Sequence, residues 1–135
     1  MYLLDTNIFL EVLLSGPRKE ECRKFLELVW RGDAEGVVTD FTIHSILIIM
    51  GRLKRWKELS TFLSSLLAYR GLKIHWTSIS DELRAIDLSR GRGLEVEDAM
   101  QYSVAVGERV EAIVSLDKHF DGLDVPRVEP KDINR

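Results

Sequence analysis

Near the N-terminus, residues 2–7 read YLLDTN, a short apolar run that is followed at once by polar residues. The apolar run predicts a buried strand, and Asp5, Thr6 and Asn7 are residue types that cap and start a helix. In parallel α/β sheets, ligands bind in the crevice outside the carboxyl ends of the strands, which is where Asp5 is expected to lie. The stretch therefore predicts the first strand of a parallel sheet with an acidic group at its ligand-binding edge.

Apolar runs of strand length alternate with helical patterns over the rest of the chain. The predicted strands cover residues 2–4, 37–39, 73–76, 112–115 and 125–128. The predicted helices cover residues 5–13, 18–31, 40–50, 53–70, 80–88, 95–107 and 117–120. Gly51-Arg52 is expected to interrupt one helix and Gly71 to end another. The basic stretch 89–93 is expected to be a flexible loop, and the residues from Pro130 onward a polar tail.

Strands that alternate with helices are joined by crossovers into a parallel sheet. We therefore predict an α/β fold, a three-layer α/β/α sandwich with a central parallel sheet of about five strands. The last strand is expected at an edge, because Pro126 has no backbone N–H to donate to a neighbouring strand. No linker or repeat divides the sequence, so residues 1–135 are expected to form one domain.

The composition is that of an ordinary globular chain, with 45% hydrophobic and 30% charged residues. A net charge of −3 provides no overall basic field, so any binding of nucleic acid needs a local patch. The single cysteine, Cys22, excludes an internal disulfide and is expected to be a buried, inert thiol. We see no signal peptide and no apolar run of about 18 residues, so we expect a cytoplasmic protein with no membrane association.

Two further aspartates follow the pattern of Asp5. Asp98 lies near the start of a predicted helix, and Asp117 follows the fourth predicted strand. Three carboxylates in one crevice repel one another, so protons or a cation must share the site, and oxygen ligands suit Mg²⁺ or Mn²⁺. Each aspartate alone is also a common helix cap. The three histidines share no metal-ligand spacing and are expected to be structural or surface residues, although His119 is close to Asp117.

Three motifs occur in order along the chain: LLDTN at residues 3–7, EDA at 97–99 and VSLDKHF at 114–120. Together they resemble the PIN-domain nucleases, especially the small prokaryotic VapC-type toxins. The resemblance implies a Mg²⁺- or Mn²⁺-dependent ribonuclease that acts as the toxin of a toxin–antitoxin pair. It also implies RNA and a cognate antitoxin protein as partners, and a homodimer.

The resemblance assigns roles to individual residues. It implies that Asp5, Asp98 and Asp117 are the catalytic, metal-binding acids. The polar neighbours that it implies for orienting the acids or contacting the metal are Thr6, Asn7 and Ser115.

The chain departs from the family pattern at one position. The family glutamate expected in the helix after the second strand is replaced by Ser45, which supplies no charge. Glu95 or Glu97 can compensate, and Glu95 is the better candidate because it lies one helical turn before Asp98. The alternative is a PIN-fold module that binds RNA or protein with weak or lost catalysis.

Two basic stretches are candidate RNA contacts. Residues 51–57 combine four cations with Trp56, which can stack on a base. The cations singled out there are Arg52, Lys54 and Arg55. The alternative is a solvated helix start with Trp56 packed in the core. Arg90 and Arg92 precede Asp98 and are expected to reach substrate near the acids.

The helices around residues 41–69 are expected to form the homodimer interface. Residues 46–50 are apolar on too many sides for one sheet to bury, and residues 59–67 carry a leucine face. The alternative is a monomer in which the two helices cover each other.

Other phosphoryl-handling α/β domains also gather aspartates at strand ends. A haloacid-dehalogenase-like phosphatase needs a second aspartate where this chain has Asn7. A response receiver needs an aspartate closing the third strand, where residues 75–77 read HWT. The sequence therefore disfavours this class.

Overall fold

The computed structural model describes residues 1–134, and its centre is a five-stranded sheet in which every pairing is parallel. The strands are β1 (Tyr2–Leu4), β2 (Gly36–Thr39), β3 (Leu72–His75), β4 (Ala112–Val114) and β5 (Arg127–Val128). Their order across the sheet is β3-β2-β1-β4-β5. The predicted parallel sheet of about five strands is confirmed, and β5 lies at an edge with Pro126 just before it.

Seven α-helices flank this sheet in the described part of the chain. They are α1 (Thr6–Leu13), α2 (Lys19–Arg31), α3 (Asp40–Arg52), α4 (Trp56–Leu66), α5 (Ile79–Arg92), α6 (Val96–Gly107) and α7 (Pro130–Ile133). A single 3₁₀ turn, Lys118–Phe120, lies between β4 and β5. None of these helices has the length and apolar character that a bilayer crossing requires.

Successive strand residues point to opposite faces of the sheet and build two cores. Leu4, Val38 and Val114 belong to the core shared with α1 to α4, which also contains the buried Cys22. Leu3, Val37 and Ile113 belong to the core beneath α6. α5 packs on α6 through a third cluster, which is Ala85, Ala99 and Met100. The three-layer α/β/α sandwich is therefore confirmed, with a helical layer on each face.

The helix boundaries around residue 50 differ from the prediction. α3 continues through Gly51 to Arg52, and Lys54 then adopts a left-handed conformation with φ of 57°. That turn separates α3 from α4, which begins at Trp56 and ends at Leu66 rather than spanning 53–70. Gly71 does not end the helix. A Cβ there would come within 2.2 Å of the Ala34 carbonyl oxygen, so close backbone packing requires glycine.

The basic stretch 89–93 is helical, not a flexible loop. α5 begins with a capping box between Ser78 and Asp81 and continues to Arg92, where Gly93 in the left-handed conformation ends it. Gly91 can be accommodated because a glycine in an exposed helical turn costs only about 1 kcal/mol. The expected polar tail is also partly ordered, since Pro130 begins the short helix α7.

Candidate active site

A pocket with a volume of 390 Å³ contains all three aspartates singled out from the sequence. It lies where β1 and β4 end and where α6 begins. Its lining consists of Asp5, Thr6, Asn7, Leu10, Phe41, Ser45, Ile48, Ile49, Glu97, Asp98, Gln101 and Asp117. The carboxyl edge of the sheet therefore forms an acidic pocket with an apolar wall from α3.

Asp5 is almost completely buried, with 4% of its surface exposed. It caps α1, as its sequence context predicts, but it also faces the pocket. Its Oδ1 accepts hydrogen bonds from the Thr6 backbone N (2.7 Å) and from Nε2 of Gln101 (2.8 Å), and its Oδ2 accepts one from Oγ of Ser115 (2.6 Å). Burial raises the pKa of Asp5, and the nearby charge of Asp117 adds to the increase, although the three hydrogen bonds oppose it.

Asp98 lies in the first turn of α6, where a helix favours negative charge. Burial raises the pKa of this carboxyl, and the charges of Asp5 and Asp117 raise it further. The charge of Asp117 thus acts on both Asp5 and Asp98, which places the three carboxylates in one site where like charges repel.

His119 lies between two of these acids. Its Nδ1 is 3.1 Å from Oδ2 of Asp117 and 3.3 Å from Oδ2 of Asp98. The contact with Asp98 opposes the increase in that residue's pKa. His119 was expected to be a structural or surface residue, and the sequence signal that it belonged here was only its closeness to Asp117.

The polar neighbours form a network that fixes the acids. Ser115 donates to Asp5, and its Oγ accepts hydrogen bonds from the Asp117 backbone N (2.9 Å) and from Nδ2 of Asn7 (3.4 Å). Asn7 also accepts a hydrogen bond from the Leu116 backbone N at 3.3 Å. Thr6 instead shares a 2.8 Å hydrogen bond with Thr42 of α3. Asn7 and Ser115 thus hold the end of β4 against the start of α1.

Gln101 is a pocket residue that the sequence reasoning missed. It follows Asp98 by three positions on α6, so both side chains lie on one face of that helix. Only 4% of its surface is exposed, and its amide holds Asp5. The sequence carried one signal for it, which was its spacing from Asp98.

The two candidate replacements for the missing glutamate are placed differently. Glu95 precedes α6 as its extended N-cap residue, is exposed, and does not line the pocket. Glu97 does line the pocket, together with Ser45. Glu95 was preferred because the predicted helix began at that residue. In the structure α6 begins at Val96, so Glu95 lies outside the helix. Of the two glutamates, Glu97 is the one that lines the pocket with the three aspartates.

The basic residues do not line the acidic pocket. Arg52, Lys54 and Arg55 lie around the turn between α3 and α4 and are exposed. Trp56 beside them is 60% exposed, so it is not packed in the core. Arg92 is 3.5 Å from Asp124 at the end of α5. The structure therefore places these cations, and Arg90 with them, on surfaces outside the pocket.

The pocket offers oxygen donors that suit Mg²⁺ or Mn²⁺. Asp5, Asp98 and Asp117 repel one another, and a divalent cation would relieve that repulsion. Among residues 1–134, however, no three His, Cys, Asp or Glu side chains already form a group able to hold a metal ion. The donor set fits a hydrated divalent cation in chemistry, while Oδ2 of Asp98 and Oδ2 of Asp117 are in contact with His119.

The sequence matches the family model of the PIN domain over residues 2–126. Because this match spans most of the chain, the protein belongs to the PIN-domain family. No curated protein matches the chain.

Solved structures with the same fold include bacterial toxin proteins. A toxin–antitoxin complex from Klebsiella pneumoniae is 21% identical, with a TM-score of 0.74 and coverage of 96% of this chain and 98% of that one. VapC20 of Mycobacterium tuberculosis, a toxin that cleaves the sarcin-ricin loop, is 14% identical, with a TM-score of 0.78 and coverage of 96% and 100%. VapBC2 of Rickettsia felis, bound to a promoter DNA fragment, is 17% identical, with a TM-score of 0.69 and coverage of 95% and 97%. At these identities, the likeness concerns the fold.

Proposed function

We propose that this protein is a Mg²⁺- or Mn²⁺-dependent endoribonuclease and the toxin component of a toxin–antitoxin pair. The observation that carries the proposal is the pocket that contains Asp5, Asp98 and Asp117, where nearby like charge raises the pKa of Asp5 and of Asp98. Membership of the PIN family, which consists of nucleases, supports the reaction class. The fold shared with a sarcin-ricin-loop-cleaving toxin supports RNA as the substrate.

Each acid has a distinct part in this proposal. When bound, a divalent cation supplies an activated water and neutralises negative charge on the phosphate. Asp98 and Asp117 would hold the cation at the open side of the pocket, where their oxygens now contact His119. Asp5, fixed by Ser115 and Gln101, would anchor it from below. Ile48 and Ile49 line the pocket beside these acids.

An RNA cleavage assay tests the proposal. Purified protein is incubated with structured and single-stranded RNA in the presence of Mn²⁺, Mg²⁺ or EDTA, beside Asp98→Asn and the surface control Asp87→Asn. We expect cleavage that needs the metal, survives Asp87→Asn and falls at least 100-fold in Asp98→Asn, since removing one charge-stabilising group costs about 10²–10³ in rate. Cleavage that persists in EDTA or in Asp98→Asn would refute metal-dependent hydrolysis at this site.

The second candidate function is a binding module without catalysis, and Ser45 is the observation that favours it. Ser45 lines the pocket without supplying a charge. If the chain is inactive, Ser45→Glu should create activity, because a fourth carboxylate strengthens cation binding. Ser45→Gln, which matches the size of glutamate without its charge, should not. If neither variant cleaves RNA but the protein still binds it, the binding module is the correct function.

A cognate antitoxin is proposed as the protein partner. A groove of 600 Å³ lies between α1, α2 and α4. Its lining includes the apolar residues Phe9 and Phe62, and it carries three cations, Lys19, Arg55 and Lys57, against one acid, Glu58. Such a groove suits an amphipathic segment with acidic residues. The Klebsiella pneumoniae neighbour was solved as a toxin–antitoxin complex, which supports this class of partner.

A homodimer through the helices around 41–69 completes the proposal. Several apolar residues of this region remain exposed in a single chain: Leu47, Ile48, Leu53, Trp56 and Leu67. Sedimentation analysis should give twice the chain mass, and Leu67→Arg, at an 87% exposed position, should weaken association. A monomer at micromolar concentration would exclude this interface.

A further inference from the structure

The side-chain amide of Gln101 makes a hydrogen bond through its nitrogen but none through its oxygen. Its Nε2 donates a 2.8 Å hydrogen bond to Asp5. Its Oε1 is buried and has no hydrogen-bond partner among residues 1–134. An unpaired buried acceptor costs about 1–3 kcal/mol, so proteins rarely keep one without a ligand or a functional reason.

The orientation of this amide follows from its partner. An ionised carboxylate only accepts hydrogen bonds, so the NH₂ group must face Asp5. Turning the amide over would place its oxygen against the Asp5 oxygen and leave the NH₂ group unpaired. The free atom is therefore the acceptor oxygen.

The surroundings of Gln101 identify what that oxygen suits. Gln101 lines the same pocket as Asp5, Asp98 and Ser45. Carboxamide oxygens are neutral ligands for hard cations, alongside carboxylates. Ser45 adds no charge to the pocket, and the one glutamate that lines it, Glu97, is exposed at the start of α6.

We propose that Gln101 contributes its carboxamide oxygen to the binding of the divalent cation, in addition to holding Asp5. This inference rests on the proposed metal-dependent function and names a ligand of that same site. A neutral oxygen in place of a fourth carboxylate lowers the negative charge of the pocket, and ligand charge tunes cation affinity. A site with a buried carboxylate in place of the Gln101 carboxamide would therefore bind its cation more tightly.

Gln101→Glu separates the two roles of this residue, because they predict opposite results. Glutamate at this position cannot donate to an ionised Asp5. If Gln101 only positions Asp5, Gln101→Glu should therefore bind Mn²⁺ more weakly than the wild type does. If Gln101 supplies an oxygen ligand, the charged oxygen of Gln101→Glu should bind Mn²⁺ more tightly. We expect the Mn²⁺ dissociation constant at pH 8, measured from the free-Mn²⁺ spin-resonance signal, to fall about 10-fold. An unchanged or higher constant overturns the inference.

Gln101→Met provides a second test without a buried charge. It fills a similar volume and should raise the Mn²⁺ dissociation constant about 5-fold, with an unchanged circular dichroism spectrum. Ser115→Ala serves as the comparison, because it also removes a hydrogen bond to Asp5 but leaves the Gln101 oxygen in place. A loss in Gln101→Met no greater than in Ser115→Ala overturns the inference.

The two levels of the proposal fail in different ways. If the wild-type protein binds no Mn²⁺, the proposed metal-dependent function fails. If the wild-type protein binds Mn²⁺ and Asp98→Asn does not, while both Gln101 variants behave as the wild type does, only the role of Gln101 fails.

Discussion

His119 places its Nδ1 3.3 Å from Oδ2 of Asp98, although the two residues come from different elements of the fold. The same nitrogen is 3.1 Å from Oδ2 of Asp117. One imidazole therefore contacts two of the three acids that we propose as cation ligands. A cation bound by Asp98 and Asp117 would therefore compete with His119 for the same carboxylate oxygens.

His119→Ala tests this competition. We expect the variant to bind Mn²⁺ about 3- to 10-fold more tightly, because the cation no longer displaces a hydrogen bond worth about 1 kcal/mol. Isothermal titration gives the constant, and His44→Ala, at an exposed histidine on α3, is the matched control. Weaker binding in His119→Ala would instead make the imidazole a ligand.

Asp98→Asn should stabilise the metal-free protein. Burial and the charges of Asp5 and Asp117 raise the pKa of Asp98 above its unfolded value. The folded state then binds more protons than the unfolded state does. The stability therefore falls as pH rises from the unfolded pKa of Asp98 through its folded pKa, and at pH 7 the ionised Asp98 carboxyl destabilises the fold. In EDTA we expect the melting temperature to rise by about 4 °C, as roughly 1 kcal/mol produces in a chain of this size.

The control for that experiment is Asp87→Asn, which removes an exposed carboxylate from α5. Its melting temperature should change little. In Mn²⁺ the order should reverse, because only the wild-type pocket gains stability from a bound cation. A lower melting temperature for Asp98→Asn in EDTA would show that Asp98 stabilises the metal-free fold, and would contradict this prediction.

His75 predicts a separate dependence of stability on pH. Its Nε2 is 2.9 Å from Asp81 and its Nδ1 is 2.8 Å from Glu108, while Lys73 and Arg84 contact those same two acids. Burial opposes protonation of His75, but the two acids outweigh it and raise its pKa. Its contribution to stability is therefore complete below about pH 6.5, the ordinary histidine value, and is lost as pH rises through the higher folded pKa.

The ionisation of Asp81 sets the lower end of the pH range in which the His75 network stabilises the protein. Burial alone would raise the pKa of Asp81, but hydrogen bonds from His75 and Ser78 lower it to about 2. Urea unfolding should show that the wild type loses stability between pH 6 and pH 9 and that His75→Gln loses less. His44→Gln should behave as the wild type does. Equal losses in the wild type and His75→Gln would exclude this network as the cause.

Gly91→Ala tests whether residues 89–92 belong to α5. A Cβ at Gly91 meets nothing within 4 Å, so alanine should stabilise the helix by about 0.5–1 kcal/mol. Gly71→Ala is the contrasting variant, because its Cβ would approach the backbone oxygens of Ala34 and Val29 at 2.2 and 2.8 Å. It should destabilise by about 2 kcal/mol. No gain from Gly91→Ala in urea unfolding would favour the flexible loop.

The sequence predicted the sheet well because its three central strands, β1, β2 and β4, are largely buried on both faces. Their apolar runs are short and continuous, and each is followed by a helical pattern, so the parallel order followed from general rules. The predicted end of α5 was wrong because the glycines and arginines of residues 89–93 have the local composition of a loop. α5 instead continues to Arg92, where Gly93 ends it in the left-handed conformation, and Leu88 packs against the cluster of Ala85, Ala99 and Met100.

The site was only partly predictable for a similar reason. Asp5, Asp98 and Asp117 follow strand ends or begin a helix, so their convergence on one pocket follows from the topology. Gln101 looks like an ordinary polar residue of an exposed helix until the fold buries it beside Asp5. His119 comes close to Asp98 only through the 3₁₀ turn that follows β4, and spacing along the chain does not reveal that contact.

The most direct measurement is the anomalous diffraction of Mn²⁺ in a crystal soaked at neutral pH. We predict a peak in the pocket within bonding distance of Asp98 and at least one of Asp5 and Asp117, with His119 moved away from Asp98. A structure at saturating Mn²⁺ with no peak there, and with His119 still between Asp98 and Asp117, would contradict the claim that these acids gather to share a divalent cation.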